Sequence, residues 1–246
     1  MLTDDQLLKY SRQIMLPQID ISGQEKLIGS HVVIIGLGGL GSPVALYLAS
    51  AGVGQLSLVD DDKVDTSNLQ RQIIHRAEFT GIDKVDSAKK MLLEINPEIK
   101  INTINKRLVE SELQDLISQS NVVADCSDNF DTRFMLNRVC HKNSVPLVSG
   151  AAIRWEGQLT TFMMAKESPC YRCLYDEDSF SDQSCSSNGV VGPVVGIIGS
   201  MQALEVVKII SSAGTPAVNE LTLFDGLDNS FSKIKYRKKK DCPVCS

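Results

Sequence analysis

The chain has 246 residues, of which 43% are hydrophobic and 22% charged, with a formal net charge of −5. That length sustains one large α/β domain or two small ones. The acidic balance argues against a general nucleic-acid binder, whose surface is basic. The N-terminus, "MLTDDQLLKYSRQ", is too polar and acidic for a secretory signal, so a cytoplasmic protein is expected.

Leu7, Leu8, Ile14 and Met15 recur at helical spacing and predict one or two short N-terminal helices. "HVVIIGLGGLGSPVALYLASAGV" reads as strand, glycine turn and helix, and "QLSLVDDD" as a second strand. A helix over "DKVDSAKKMLLEIN" is stopped by Pro97, and the strand "IKINTIN" follows. "ESELQDLISQS" is a helix, "NVVADC" a strand, "DTRFMLNRVCHKN" a helix and "VPLVSG" a strand. Strands alternating with helices imply a doubly wound, mostly parallel sheet.

After residue 150 the texture changes: "EGQLTTFMM", "NELTLFDG" and "FSKIKYRKKK" predict a partly antiparallel extension. The apolar stretch 190–210 is long enough to suggest a membrane span. Gln202, Glu205 and Lys208 interrupt its second half, and small or breaking residues its first. It reads as a buried loop followed by a core helix over 201–210, with no membrane role. The basic run at 236–240 reads as a solvated strand end. One domain over 1–246 is expected, with a nucleotide-binding part (1–150) and an extension (151–246).

Gly36, Gly38 and Gly41 fit G-x-G-x-x-G between a strand and a helix, a pattern that brings phosphate close to backbone N–H groups. Asp60, ending the second strand, stands where an acidic residue binds a ribose hydroxyl. The loop by itself does not separate NAD, FAD and ATP. Arg71, Lys84 and Asp128 all fall just past strand ends or at helix starts, and in an open parallel sheet those positions converge on one crevice. Two cations and a candidate Mg2+ ligand suit the loss of pyrophosphate, where negative charge builds on the leaving group.

Seven cysteines in a chain with no signal do not predict structural disulfides. Cys170 and Cys173, with Cys242 and Cys245, form two C-x-x-C knuckles, a tetrahedral set for structural Zn2+ that pins the C-terminus onto the domain. Cys126 and Cys140 read as buried small hydrophobes. Cys185 lies in the polar, glycine-bounded "DQSCSSNG" and is a candidate exposed thiol.

"GLGGLGS", "SNLQRQ", Lys84, "DCSDN", "GQLT" and the paired knuckles together resemble the ThiF/MoeB/HesA family of ubiquitin-activating-type adenylyltransferases, from "YSRQI" at 10 to "CPVC" at 245. "CYRCL", "GVVGPVVGIIGSMQALE", "LFDG" and "CPVC" look like its thiazole (thiamine) branch, and "SGAAIRWEGQ" like its molybdopterin branch; the balance favours the thiazole branch. The resemblance implies Mg2+ and ATP, and a small ubiquitin-fold sulfur-carrier protein ending in Gly-Gly whose carboxylate is adenylated. It also implies a homodimer and a sulfur donor of cysteine desulfurase or rhodanese type.

Carried over by residue, Gly36, Gly38, Gly39 and Gly41 surround the nucleotide and Asp60 takes the ribose. Asn68, Arg71 and Lys84 contact the phosphates, with Gln70 and Gln72 as supports and Asp62 and Ser67 as further contacts. Asp128 holds Mg2+ beside Asn129, Arg12 reaches into the second subunit's site, and Cys185 joins the activated carrier. Residues 151–246 then bind the carrier. No rhodanese-like extension follows Ser246, so no fused sulfur-transfer form is expected. An NAD-dependent oxidoreductase would leave "SNLQRQ", Lys84 and the knuckles without a task. A nucleotide-sensing module would bind ATP without breaking its α–β bond.

Overall fold

The computed structural model describes residues 1–176 and 189–246. Three short helices open the chain: α1 (Asp4–Lys9), α2 (Ser11–Ile14) and α3 (Asp20–Ile28). Thr3 and Gln6 form a reciprocal capping box that starts α1. The sequence pattern does not announce α3, because Gly23 sits in its interior. That glycine serves contact instead: a Cβ there would stand 3.1 Å from Ile19 Cγ2 and 3.4 Å from Ser211 Cβ.

Strand β1 (His31–Ile35) leads through α4 (Gly41–Ala51) to β2 (Gln55–Val59), and α5 (Lys84–Ile95) leads to β3 (Lys100–Ile104). Then follow α6 (Glu110–Ile117), β4 (Val122–Asp125), α7 (Phe130–Asn143) and β5 (Leu147–Ile153). Strand β6 (Glu156–Phe162), α8 (Tyr171–Leu174), α9 (Gly192–Ser211), β7 (Glu220–Asp225) and β8 (Ser230–Lys235) complete the described chain. The eight strands lie in the order β3-β2-β1-β4-β5-β6-β7-β8. β3 through β5 pair in parallel, and β5 through β8 pair antiparallel. This is the doubly wound sheet with an antiparallel extension that the pattern predicts.

The parallel strands are apolar on both faces because helices cover both. Val32, Ile34, Leu56 and Leu58 pack with residues of α4, α5 and α9. Val33, Ile35, Val123 and Leu147 pack on the other face with residues of α6, α7 and the cysteine knuckles.

One expectation is corrected. The predicted loop before residue 201 is helical: α9 is one 20-residue helix from Gly192. Pro193 lies in its first turn, where its missing N–H costs nothing. Gly199 is a contact and not a break, since a Cβ there would meet the Leu40 carbonyl oxygen and Pro43 Cγ, each at 2.5 Å. The basic run at 236–240 follows directly on β8, which stops at Lys235, and Arg237, Lys239 and Lys240 are exposed, as expected of a solvated strand end. Within the run Tyr236 Oη bonds Thr160 Oγ1 (2.6 Å), Lys238 Nζ donates to the Lys166 carbonyl (2.7 Å) and the Lys239 N–H reaches Cys173 Sγ (3.4 Å).

Among the described residues α9 is the one helix long and apolar enough to cross a membrane. Its polar residues are nevertheless satisfied inside the protein. Gln202, fully buried, donates from Nε2 to the carbonyls of Asp125 (2.7 Å) and Val148 (3.2 Å). Glu205 accepts from Thr161 Oγ1 and the Ala217 N–H, and pairs with Lys208. It is therefore read as a core helix, as the sequence suggested.

Two of the three α9 glycines give opposite predictions. Gly199→Ala forces backbone apart and is expected to destabilise by about 1–3 kcal/mol. Gly196→Ala meets nothing within 4 Å and is expected to stabilise by about 0.5–1 kcal/mol through helix propensity. Urea unfolding of both variants checks this; equal midpoints for the two would contradict it.

Candidate active site and four-cysteine cluster

Strands β1 and β4 are hydrogen-bonded neighbours, yet β1 leads away to β2 on one side and β4 to β5 on the other. Their carboxyl ends therefore open into a crevice. A cleft of about 500 Å³ occupies this position. Of the predicted residues, Gly36, Gly38, Gly39, Asp60, Asp62, Asn68, Arg71, Lys84, Asp128 and Asn129 line it.

The glycine loop is built by close approach. Gly36 has φ 90°, and a Cβ would stand 2.8 Å from the Cys126 carbonyl oxygen. Gly41 does not line the cleft: it opens α4, and its missing Cβ leaves room for the Gly36 carbonyl oxygen at 1.9 Å. The Leu37 N–H donates to Asp60 Oδ2 at 2.6 Å, so the loop is tied to the end of β2. The N–H groups of Gly38 and Gly39 have no protein partner among the described residues. They lie just before the N-terminus of α4, where such groups attract anions.

Lys84 is only 4% exposed, and its Nζ lies 2.7 Å from Asp62 Oδ2 and 3.9 Å from Asp60 Oδ1. Burial pushes the Asp60 carboxyl up, opposed by the Lys84 charge and by the N–H groups of Leu37 and Asp62. Arg71 donates from Nη2 to Asn68 Oδ1 (2.7 Å) and from Nη1 toward the Ser67 carbonyl (3.4 Å). Ser67 itself does not line the cleft; its N–H and hydroxyl both bond Asp65 Oδ1 and shape the turn.

Across the cleft, Asp125 is fully buried. Its Oδ1 accepts from the Ser127 N–H (3.1 Å) and hydroxyl (2.6 Å), and its Oδ2 from the Ser149 hydroxyl (2.8 Å). That fixes the turn carrying Asp128. Asn129 caps α7 by accepting the Thr132 N–H at 2.9 Å. Asp128, exposed, makes no ion pair among the described residues.

Lys106, Arg107 and Arg133 also line the cleft and were missed. Lys106 and Arg107 follow the carboxyl end of β3, so the rule that found Arg71 also reaches them. Arg133 is buried, donating to the carbonyls of Ser127 (2.7 Å) and Gly150 (3.2 Å). Arg12 is exposed on α2 and does not line the cleft of its own chain. Cys185 lies outside the described residues. Cys126 and Cys140 are buried, and burial pushes both thiols up.

The four knuckle cysteines are buried with their sulfurs all within 4.8 Å of one another. Cys170 Sγ lies 3.6 Å from Cys242 Sγ, and Cys173 Sγ 3.4 Å from Cys245 Sγ. These separations are too long for disulfides and suit four sulfurs around one tetrahedral metal such as zinc. Asn137 Nδ2 (3.5 Å from Cys170 Sγ) and the Lys239 N–H supply donors toward the sulfurs.

Comparison with known proteins agrees with this arrangement. The model of the ThiF family matches residues 10–244. The chain is 44% identical to the sulfur carrier protein ThiS adenylyltransferase of Escherichia coli (strain K12), covering 99% of this chain and 97% of that protein. It is 45% identical to the molybdopterin-synthase adenylyltransferase of the same strain, covering 99% and 98%. The crystal structure of E. coli MccB with ATP superposes with a TM-score of 0.85 at 22% identity, over 97% of this chain and 73% of that one, a likeness of fold. The chain belongs to the ThiF family and is an adenylyltransferase. The oxidoreductase reading of the glycine loop receives no support from these relatives.

One buried group behind the cleft makes stability depend on pH. Burial lowers the His75 pKa from 6.5 to about 4, with the Leu37 carbonyl opposing and Lys84 assisting. The unfolded chain binds this proton first as pH falls, so stability present above pH 6.5 is lost toward pH 4, by up to about 3 kcal/mol. Urea unfolding across that window is expected to fall more steeply for wild type than for His75→Gln. Parallel curves would contradict the assignment.

Proposed function

We propose that this protein adenylates the C-terminal Gly-Gly carboxylate of a small ubiquitin-fold sulfur-carrier protein. The observation that carries the reading is the convergence of Arg71, Lys84, the glycine loop and Asp128 on one cleft at the strand-order switch. The carrier's carboxylate is already ionised at neutral pH, so no general base is required. Its oxygen attacks the α-phosphorus of ATP, the α–β bond breaks, and pyrophosphate leaves with the electron pair. The protein's work is to align the reactants and to neutralise charge as it builds on pyrophosphate.

Asp60 takes the ribose, and the N–H groups of Gly38 and Gly39 face the phosphates. Asn68 orients Arg71, and Asp62 holds Lys84 until phosphate oxygens compete for it. Asp128 is the carboxylate placed to hold Mg2+, a hard cation served by carboxylate oxygen. When bound, Mg2+ neutralises phosphate charge. Arg12, exposed beside Met15 and Leu16, enters the cleft of a second subunit in a homodimer.

The carrier docks on the extension, where a second cleft of about 340 Å³ is lined by Phe130, Gly157, Gln158, Leu223 and Phe224. Arg133 and Ala152 line both clefts, so a tail lying in one reaches the other directly. We assign the carrier to the thiazole branch of thiamine synthesis on the strength of "CYRCL", "GVVGPVVGIIGSMQALE", "LFDG" and "CPVC". In that branch a persulfide on a donor of cysteine desulfurase or rhodanese type attacks the acyl-adenylate and AMP leaves; the Cys185 thiolate then exchanges into the resulting acyl disulfide, bonding the carrier's sulfur and releasing the donor's thiol. "SGAAIRWEGQ" favours the molybdopterin branch as the second reading. The protein acts in the cytoplasm.

Arg71→Ala and Lys84→Ala are each expected to lower carrier-dependent ATP–pyrophosphate exchange by about 10²–10³-fold with folding intact, the usual loss for one charge-stabilising donor. Near-wild-type exchange in both would remove the assignment of the cleft.

One Zn2+ per chain is expected on Cys170, Cys173, Cys242 and Cys245. Metal analysis of protein purified without chelator should find it, and a metal-free protein would end the claim. Structural zinc sites contribute on the order of 10 kcal/mol in small peptides. Here a separate core supports the sheet, so chelation should expose the C-terminal tail to protease before the sheet unfolds.

A further inference from the structure

His75 lies behind the cleft, belongs to none of the roles above, and is 6% exposed. Its Nε2 is 3.0 Å from the Leu37 carbonyl oxygen, and its Nδ1 is 2.9 Å from Ser87 Oγ. A carbonyl oxygen only accepts, so Nε2 must carry the proton, and Nδ1 accepts from the fully buried Ser87 hydroxyl. The ring thus bridges α5, which carries Ser87, to the glycine loop.

The Leu37 residue is gripped on both sides. Its N–H goes to Asp60 Oδ2 at 2.6 Å and its carbonyl to His75. A trans peptide is planar, with C=O and N–H pointing in opposite directions. Holding the Leu37 carbonyl toward His75 therefore directs the Gly38 N–H the other way. Gly38 lines the cleft, and its N–H has no protein partner among the described residues. A glycine in this position resists peptide rotation weakly, because no side chain restricts it.

We propose that His75 is a positioning residue of the nucleotide cleft. By holding the Leu37 carbonyl it fixes the Leu37–Gly38 peptide plane, so that the Gly38 N–H is presented to the phosphates of a bound nucleoside triphosphate. The proposal rests on reading the cleft as an ATP site. The neutral ring suits the task, because it offers one donor to one acceptor and adds no charge that would draw the phosphates out of place.

Two measurements test it. Nitrogen-15 NMR of the wild-type imidazole is expected to find the Nε2–H tautomer at neutral pH; the Nδ1–H tautomer would overturn the proposal without any variant. Calorimetric titration with ATP and with adenosine then compares wild type, His75→Gln and His75→Phe. Glutamine can place an N–H near Nε2, whereas phenylalanine keeps the volume and loses the donor. His75→Phe is expected to bind ATP roughly tenfold more weakly, the size of one lost hydrogen bond, and adenosine as well as wild type does. His75→Gln should restore most of the ATP affinity.

Equal ATP affinity in wild type and His75→Phe, or equal weakening of ATP and adenosine, would overturn the role of His75 alone. A wild-type protein that binds no ATP would overturn the reading of the cleft itself, and this proposal with it. Should His75→Phe not fold, Ser87→Ala, which frees the ring to turn, is expected to weaken ATP in the same selective way. Unchanged ATP binding in that variant would count against the proposal.

Discussion

Two hydrogen-bonded parallel strands whose connections run to opposite edges of the sheet cannot both be covered at their carboxyl ends. In this protein those strands are β1 and β4, and the rest of the site follows from the gap they leave. The chain must turn sharply out of β1, which requires Gly36 at positive φ against the Cys126 carbonyl. It must also turn out of β4, which the buried Asp125 arranges by gathering Ser127 and Ser149. Backbone donors and carboxylates are left facing one volume.

Charge is distributed unequally around that volume. On the β2 side Lys84 is buried against Asp60 and Asp62, and Arg71 is held by Asn68. On the β4 side stands Asp128 without an ion-pair partner among the described residues. A polyphosphate anion bound with a divalent cation matches such a division, whereas a nicotinamide ring has no use for it. Because Lys84 and Asp60 are nearly dry, their interactions with a ligand are screened little by solvent. The extension contributes through Gln202, whose bonds to Asp125 and Val148 lock α9 to the end of β4 and to β5 beside it.

Much of this was legible in the sequence because it is local. Alternating strands and helices identify a parallel sheet, and position relative to a strand end brings Arg71, Lys84 and Asp128 together without knowledge of any contact. The cysteines were legible for a similar reason: identical knuckles have a stereochemical meaning at any separation. What escaped depends on packing. Gly196 and Gly199 look like breaks in α9 until Leu40 and Pro43 are seen against Gly199. His75 looks like a core residue until its ring is found between Leu37 and Ser87. Ser67 sits inside a persuasive motif yet turns toward Asp65. Arg133 needs the fold, because its partners are Ser127, just past β4, and Gly150, inside β5.

The central claim is that the cleft turns a peptide carboxylate and ATP into an acyl-adenylate. The most direct measurement is the intact mass of a Gly-Gly-ending sulfur-carrier protein after incubation with this enzyme, ATP and Mg2+. A carrier heavier by one adenylyl group (AMP less water) is expected, the added mass lost again when pyrophosphate is added in excess. Release of ADP and phosphate with the carrier's mass unchanged would contradict the claim.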